Sequence, residues 1–171
     1  DGTVWAWGNN TYGQLGDGSR QNGTMRSASP VQVVSGHYEV DDPAIFSVIA
    51  GVNAIAAGRR HVAVIANEYK GGRLRKSVFT WGDNGNGQLG LVDQEGKPYS
   101  GGYASYPRRV PGSSVAEHDI VTIDAGAAHT LMRLENGTVL AWGDNSRYQL
   151  SNGEPDQYGH VMVVDGEAMT E

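Results

Sequence analysis

Short runs of β-branched and aromatic residues, each followed by glycine, recur along the chain. Val4–Trp7, Val78–Trp81 and Val139–Trp142 are the clearest of these runs. Such runs bounded by turn-forming residues are typical of short β-strands. Asn136-Gly137 precedes the third run, and this dipeptide favours a type I′ hairpin turn. No apolar stretch approaches the roughly 18 residues of a membrane span. The pattern therefore predicts an all-β chain of short strands.

The strands belong to a larger internal repeat. The segment Trp7–Gly16, with the sequence WGNNTYGQLG, reappears as WGDNGNGQLG from Trp81 and as WGDNSRYQLS from Trp142. A second element, an Ala-Gly-x-x-His segment, ends at His61 and again at His129. A third and looser element consists of Ser29–Val33 and its counterpart Tyr106–Val110. Repeats of this kind bury their apolar faces by stacking on one another.

These three elements, in this fixed order, resemble the regulator of chromosome condensation repeat over nearly the whole chain. The resemblance implies a β-propeller with four-stranded antiparallel blades, of which that family has seven. Residues 1–171 would form a partial propeller of about two and a half to three blades, with units of approximately 1–65, 66–134 and 135–171. Propellers close with four to eight blades. We therefore expect a segment of a longer chain or, less favoured, a homo-oligomer that closes the ring.

Residues that recur once per unit are expected to form the framework, because a catalytic group has to occur only once. The tryptophans are predicted to be core anchors. The histidines are predicted to be corner residues that hydrogen-bond the backbone of their own blade. The framework residues are Trp7, Trp81, Trp142, His61, His129, Gly58 and Gly126.

The third copy departs from the other two. Tyr148 and Ser151 stand where the first copy has Gly13 and Gly16. If those glycines have positive φ, a side chain there costs on the order of 1 kcal/mol. We therefore expect an altered bend after Trp142 and a terminal or specialised third blade.

Composition and charge exclude some functions. The chain has no cysteine, which excludes disulfides, thiolate catalysis and cysteine-ligated zinc. The formal net charge of −6 disfavours nucleic-acid binding. Neither feature assigns a compartment, because cytosolic and bacterial surface proteins both fit them.

Motifs that suggest catalysis or cofactor binding have simpler interpretations. Gly85–Gly90 matches Gly-x-Gly-x-x-Gly, but no helical pattern follows and the segment is copied elsewhere as a bend. A calcium loop from Asp83 would lack ligands at its third and fifth positions. His37, His118 and His160 share no metal-like spacing. We therefore predict no enzyme activity, no cofactor and no metal.

Insertions between the repeats are the candidates for partner binding, since propeller function resides in loops held by rigid blades. A basic segment carries Arg73, Arg75 and Lys76, and a second insertion carries Tyr99 and Tyr103, with Arg108 just beyond. Tyrosine and arginine are enriched at interface hot spots. The sequence thus predicts a non-enzymatic scaffold that binds a protein partner. Solvated loops are the alternative interpretation of these insertions. Guanine-nucleotide exchange on a small GTPase and chromatin binding are alternatives that the family resemblance implies.

Overall fold

The computed structural model describes residues 2–36, 46–48, 51–70, 72–92, 100–111, 120–151 and 162–164. One short 3₁₀ helix, Ser19–Asn22, lies among the strands of these segments. The strands in chain order are β1 (Trp5–Asn9), β2 (Arg26–Gln32), β3 (Val34–Gly36), β4 (Phe46–Val48), β5 (Val52–Ala57), β6 (His61–Lys70), β7 (Arg73–Asp83), β8 (Tyr103–Arg109), β9 (Ile120–Ala125), β10 (His129–Leu134), β11 (Val139–Gly143) and β12 (Met162–Val164).

Two of the sheets are complete antiparallel blades. Strands β5, β6, β7 and β8 pair in that order, as do β9, β10, β11 and β12. Strands β1 and β2 form a two-stranded sheet and correspond to the last two strands of a blade. Strands β3 and β4 form a separate hairpin. Leaving this hairpin aside, we call the other three sheets blade one (β1–β2), blade two (β5–β8) and blade three (β9–β12).

Strand β6 shows why the blades stack. Its residues from His61 to Ala66 are buried except for the half-buried Val62, so the strand is covered on both faces. Ala63 and Ile65 pack into one apolar cluster with residues of blade three. Val64 and Ala66 pack into a second cluster with residues of blade one. Because side chains alternate along a strand, one strand supplies two cores. The cores therefore lie between the blades.

Each blade turns sharply after its tryptophan-bearing strand, in a segment we call the bend: residues 10–16, 84–90 and 145–151. In each bend an asparagine side chain accepts the backbone N–H of the leucine five residues later: Asn10 to Leu15, Asn84 to Leu89 and Asn145 to Leu150. These asparagines are fully buried. The bend is thus held by a side chain that the repeat supplies each time.

The third bend keeps the same backbone, so the expectation of an altered bend is wrong. Tyr148 donates its N–H to Asn145 O and Ser151 donates to Tyr148 O, as the corresponding glycines of the other bends do. Tyr148 and Ser151 adopt φ values of 60° and 56°. They are the non-glycine residues with positive φ in the described part of the chain. The left-handed conformation is therefore retained, at a cost on the order of 1 kcal/mol per residue.

The described segments contain no helix with the length and apolar character needed to cross a bilayer.

Candidate functional site: blade junctions and the bend face

Each complete blade inserts its tryptophan into the bend of the blade before it. The Trp81 indole donates from Nε1 to Gln14 O at 3.0 Å, and the Trp142 indole donates to Gln88 O at the same distance. Both indoles are completely buried. A buried indole N–H needs an acceptor, and the bend carbonyl supplies it. We call each such contact a junction.

A glycine in the bend makes room for the indole. A Cβ added at Gly16 would lie 2.7 Å from Trp81 Nε1, and one at Gly90 would lie 2.8 Å from Trp142 Nε1. These glycines also have φ values of 66° and 63°. Glycine is therefore required here for two reasons: it adopts this backbone conformation, and it allows the close approach of the ring.

Trp7 does not behave like the other two tryptophans. Its side chain is 66% exposed, so the prediction of a buried anchor is wrong for this residue. Trp81 and Trp142 are buried by the bend of a neighbouring blade, and no described residue forms such a bend against Trp7. Trp5 and Trp7 instead line an open cleft of about 290 Å³ beside Ile55 and the Gly58–His61 corner.

The second junction contains a polar network built on Thr130, whereas the first has Val62 at the corresponding place. His61 Nε2 lies 3.0 Å from the Thr130 hydroxyl, and that hydroxyl donates to Gln88 O at 2.9 Å. Gln88 O is the same carbonyl that accepts the Trp142 indole. Since the Thr130 hydroxyl proton is used on Gln88, His61 donates from Nε2 and its Nδ1 carries no proton. Among the described side chains, His61 Nδ1 is the buried polar atom with no hydrogen-bond partner.

This environment keeps His61 neutral. Burial is the main cause that lowers the pKa of His61; the Asp83 carboxylate opposes it and the His129 side chain adds to it, and together they bring the pKa to about 4. The side chain is 1% exposed. Its hydrogen bond crosses to the next blade, so the prediction that it bonds the backbone of its own blade is wrong. The ring lies against Gly58, where a Cβ would overlap the imidazole, and His129 lies in the same way against Gly126.

Arginine and tyrosine side chains meet on one end of the sheets, which we call the bend face because the bends and the Gly-x-x-His corners lie there. The Arg60 guanidinium lies 4.7 Å from the centre of the Tyr12 ring and donates to the Tyr12 hydroxyl at 3.2 Å. The Arg20 guanidinium lies 5.2 Å from the centre of the Tyr103 ring. Arg20 also donates from Nε to Thr11 O at 2.9 Å. We call Tyr12, Arg20, Arg60 and Tyr103 the arginine–tyrosine cluster.

The cluster joins two blades and remains accessible to a partner. Tyr12 and Arg20 follow β1, whereas Arg60 and Tyr103 belong to blade two. Tyr103 is 44% exposed, and Arg60 is exposed. Nearby, the Tyr106 hydroxyl contacts Gln21 Oε1 at 3.4 Å. Guanidinium groups held over aromatic rings lose little freedom when a partner binds, which favours their use as contacts.

The predicted partner-binding residues that the structure describes do not form one surface. Tyr103 lies on the bend face, opposite Asp83 at the end of β7. Arg75 and Lys76 pair with Glu68 and Asn67, near the far hairpin of the same sheet. At about 3.3 Å per residue, the hairpin end of β6 lies about 30 Å from its His61 end.

The remaining predicted residues are placed as follows. Arg108 lies within β8 opposite Thr80, half-buried and engaged in contacts. Arg73 lies in β7, and its side chain is outside the described part of the structure. Tyr99 lies outside the described residues. Tyr103 and Arg108 are therefore not two contacts of a single exposed face.

Part of the basic segment stabilises the fold. Lys76 donates from Nζ to Ile120 O of blade three at 3.2 Å. Glu68, across the same hairpin, accepts from Arg109 Nε at 2.9 Å and from the Ser77 hydroxyl at 2.7 Å. Lys76 is thus an interblade contact.

Sequence reasoning misses Thr130 and most of the arginine–tyrosine cluster. Thr130 follows the corner histidine, but the other blade has Val62 at that place, so no repeat marks it. Tyr12 and Arg60 occupy variable positions of otherwise repeated segments. That variability is the available signal, because framework positions repeat and contact positions need not. In the described segments, no three His, Asp or Glu side chains gather as a metal site.

The antiparallel blades, joined through tryptophan and bend, define a β-propeller repeat protein. Models of the regulator of chromosome condensation (RCC1) repeat match residues 1–65 and 77–132, and a second such model matches 120–149. The chain belongs to this family.

Two curated relatives and one solved structure match the chain over a part of their own length. It is 27% identical over 165 residues to human E3 ubiquitin-protein ligase HERC2, covering 96% of this chain and 3% of that protein. It is 31% identical to the bovine secretion-regulating guanine nucleotide exchange factor, covering 86% of this chain and 25% of that protein. The structure of Prp20p from Saccharomyces cerevisiae matches with a TM-score of 0.66 at 17% identity, covering 98% of this chain and 35% of that one. The chain therefore spans about a quarter or less of these curated relatives.

Proposed function

We propose that the chain is a non-enzymatic scaffold that binds a protein partner through the arginine–tyrosine cluster of the bend face. The observation that supports it is the pair of guanidinium-over-ring contacts, Arg60 on Tyr12 and Arg20 on Tyr103. These contacts hold arginine and tyrosine side chains in place at an accessible surface. A binding site needs such side chains before the partner arrives, because ordering them on binding costs free energy.

The chemistry of the cluster suggests the kind of partner. Planar guanidinium groups pair with carboxylates through two hydrogen bonds, and tyrosine rings add apolar contact area. Prp20p, which shares this fold, has binding properties towards Gsp1p and histones, so protein binding occurs on this scaffold. We propose a folded protein partner that presents an acidic side chain over Arg60 and an apolar one over Tyr103.

The test is a quantitative pull-down with a matched control. The variant pair is Arg60→Ala with Tyr103→Ala, and the control is Arg75→Ala on the far hairpin. Purified Gsp1p, histone octamer and a cell extract serve as probes. We expect the cluster variant to lose roughly tenfold or more of the bound partner, while Arg75→Ala keeps it and both melt like the wild type. Equal recovery by the cluster variant and the control would refute the assigned face.

A second candidate is guanine-nucleotide exchange, which the name of the bovine relative favours. Under this proposal the chain, in catalytic amounts, accelerates release of a labelled guanine nucleotide from a small GTPase. The rate should fall when Arg60 or Tyr103 is replaced. No acceleration on any GTPase tested would eliminate this candidate and leave the scaffold proposal intact.

A further inference from the structure

Gly8 of β1 has a backbone conformation that serves a close contact in the other two blades. Its φ is 99°, near the 103° of Gly82 and the 112° of Gly143. A Cβ added at Gly82 would lie 2.4 Å from Arg60 O, and one at Gly143 would lie 2.5 Å from Ala128 O. These two glycines thus let the backbone just before a corner histidine come close. At Gly8 an added Cβ would have nothing within 4 Å, so the described part of the chain leaves this space empty.

The edge of β1 beside this space is unpaired among the described strands. β1 pairs with β2, whereas the corresponding strands β7 and β11 also pair on their other edge, with β6 and β10. In those pairs the corner histidine lies opposite the glycine, His61 opposite Gly82 and His129 opposite Gly143. A strand added to β1 in the same register would place its histidine opposite Gly8.

An exposed isoleucine marks the far wall of the same space. Ile55 of β5 is 56% exposed, whereas Ile123, which has the same place before the corner glycine in β9, is 7% exposed. Ile123 packs in the apolar cluster that contains Ala63 and Ile65 of β6. Ile55 instead lines the open cleft beside β1. An added strand with aliphatic residues at the places of Ala63 and Ile65 would therefore cover Ile55.

Residues 1–171 do not supply this strand. The sequence contains two Gly-x-x-His segments, which end at His61 and His129. Both histidines already lie opposite a glycine of their own blade. A folded second copy has the same two corners in use, so it cannot donate one.

We infer that the free edge of β1 and its cleft bind an extended peptide of another chain. The peptide carries Gly-x-x-His followed by a run of aliphatic residues, and it adds to β1 as an antiparallel strand. Backbone hydrogen bonds to a free strand edge supply affinity in this mode of recognition, and side-chain pockets supply specificity. Here the space over Gly8 selects the corner, and the cleft beside Ile55 selects the aliphatic residues.

The test uses a synthetic peptide that copies residues 57–66, AGRRHVAVIA, and a control peptide with the same residues in scrambled order. Binding to the full chain is measured by calorimetry, and hydrogen exchange of the backbone amides is followed by NMR. We expect the copied peptide to bind and to slow exchange of β1 amides, while exchange in β8 is unchanged. Failure of the copied peptide to bind, or equal binding of the scrambled peptide, would overturn the inference.

The variant Gly8→Ala fills the space over β1. Gly137→Ala is the matched control, since Gly137 has φ +92° with nothing within 4 Å of an added Cβ. The two variants carry similar backbone strain and should melt alike without peptide. We expect Gly8→Ala to weaken binding of the copied peptide roughly tenfold or more relative to Gly137→Ala, because the new Cβ overlaps the peptide backbone. Equal affinities would contradict the inference, and if Gly8→Ala does not fold, the amide exchange of the wild type decides.

Sedimentation distinguishes the peptide from a second copy as the occupant of this edge. The wild type should sediment as a monomer with and without the copied peptide. Self-association that the copied peptide abolishes would show a second copy on β1 and overturn the inference.

Discussion

The first and second junctions use the same indole-to-carbonyl hydrogen bond, yet they differ in what else the carbonyl holds. Gln14 O accepts the Trp81 indole, whereas Gln88 O accepts both the Trp142 indole and the Thr130 hydroxyl. Through Thr130 the second junction also includes His61. The repeat therefore specifies the contact that all junctions need, and single residues outside the repeat determine how polar and how pH-dependent each junction is.

The largest expected effect comes from removing the tryptophan side chain from either junction. Trp81→Ala and Trp142→Ala should each destabilise the chain by about 3–5 kcal/mol, because each removes a fully buried indole from an interblade core. Urea unfolding followed by circular dichroism measures the loss. Trp7→Ala, at an exposed tryptophan, is the control and should cost much less. A Trp7→Ala loss equal to that of Trp142→Ala would contradict the difference in burial.

Acid should destabilise the folded chain through His61 of the second junction. The folded state keeps His61 neutral with a pKa of about 4, whereas in the unfolded chain its pKa is 6.5. Between these values the unfolded chain binds a proton that the folded chain does not, so stability falls as pH drops from 6.5 towards 4. The full loss in the free energy of unfolding is about 3 kcal/mol. Above pH 7 the contribution of His61 to this free energy no longer changes with pH.

Unfolding in urea at pH 7 and at pH 4.5 measures this loss. His61→Asn, which keeps a polar side chain that does not titrate in this range, is the comparison. It should lose less stability between the two pH values than the wild type. Identical losses in the two proteins would exclude His61 as the source.

The smallest effect that separates the junctions is that of one hydroxyl group. Thr130→Val should cost about 1–3 kcal/mol, because it leaves His61 Nε2 buried without a partner. Valine itself fits the strand, since Val62 occupies the same place in blade two. Thr122→Val makes the same chemical change at an exposed position of β9 and should be nearly neutral. A Thr130→Val cost no larger than that of Thr122→Val would show that the network adds nothing to the second junction.

The sequence predicts the fold well because blade residues recur. The tryptophan strand, the corner glycine and the Gln-Leu segment of the bend each recur, so the all-β class and the blade pattern follow from the copies. The exposure of Trp7 does not follow from the same rule, because burial of a repeated residue depends on the neighbouring blade as well as on its own. The backbone of the third bend shows the converse. The buried Asn145 holds the turn, and Tyr148 and Ser151 adopt the conformation that glycine has elsewhere.

The candidate site is less predictable for a physical reason. Residue type alone points to Tyr103, but its partner Arg20 lies 83 positions earlier and meets it only in the folded chain. Charge alone points to Arg75 and Lys76, but Lys76 donates a hydrogen bond to the backbone of blade three. Local sequence therefore indicates which residue types favour contact, while the blade stacking determines which of them meet.

The unequal burial of the tryptophans has an optical consequence. Trp5 and Trp7 are 52% and 66% exposed, whereas Trp81 and Trp142 are fully buried. The four indoles therefore form two emitting classes, one in water and one in an apolar setting. In the native chain a quencher such as acrylamide reaches only the exposed indoles of Trp5 and Trp7. Quenching of the long-wavelength emission therefore reports whether another molecule covers β1. Loss of the short-wavelength emission of Trp81 and Trp142 reports separation of the blades. The unmodified chain thus carries one fluorescent probe of its edge and another of its interior.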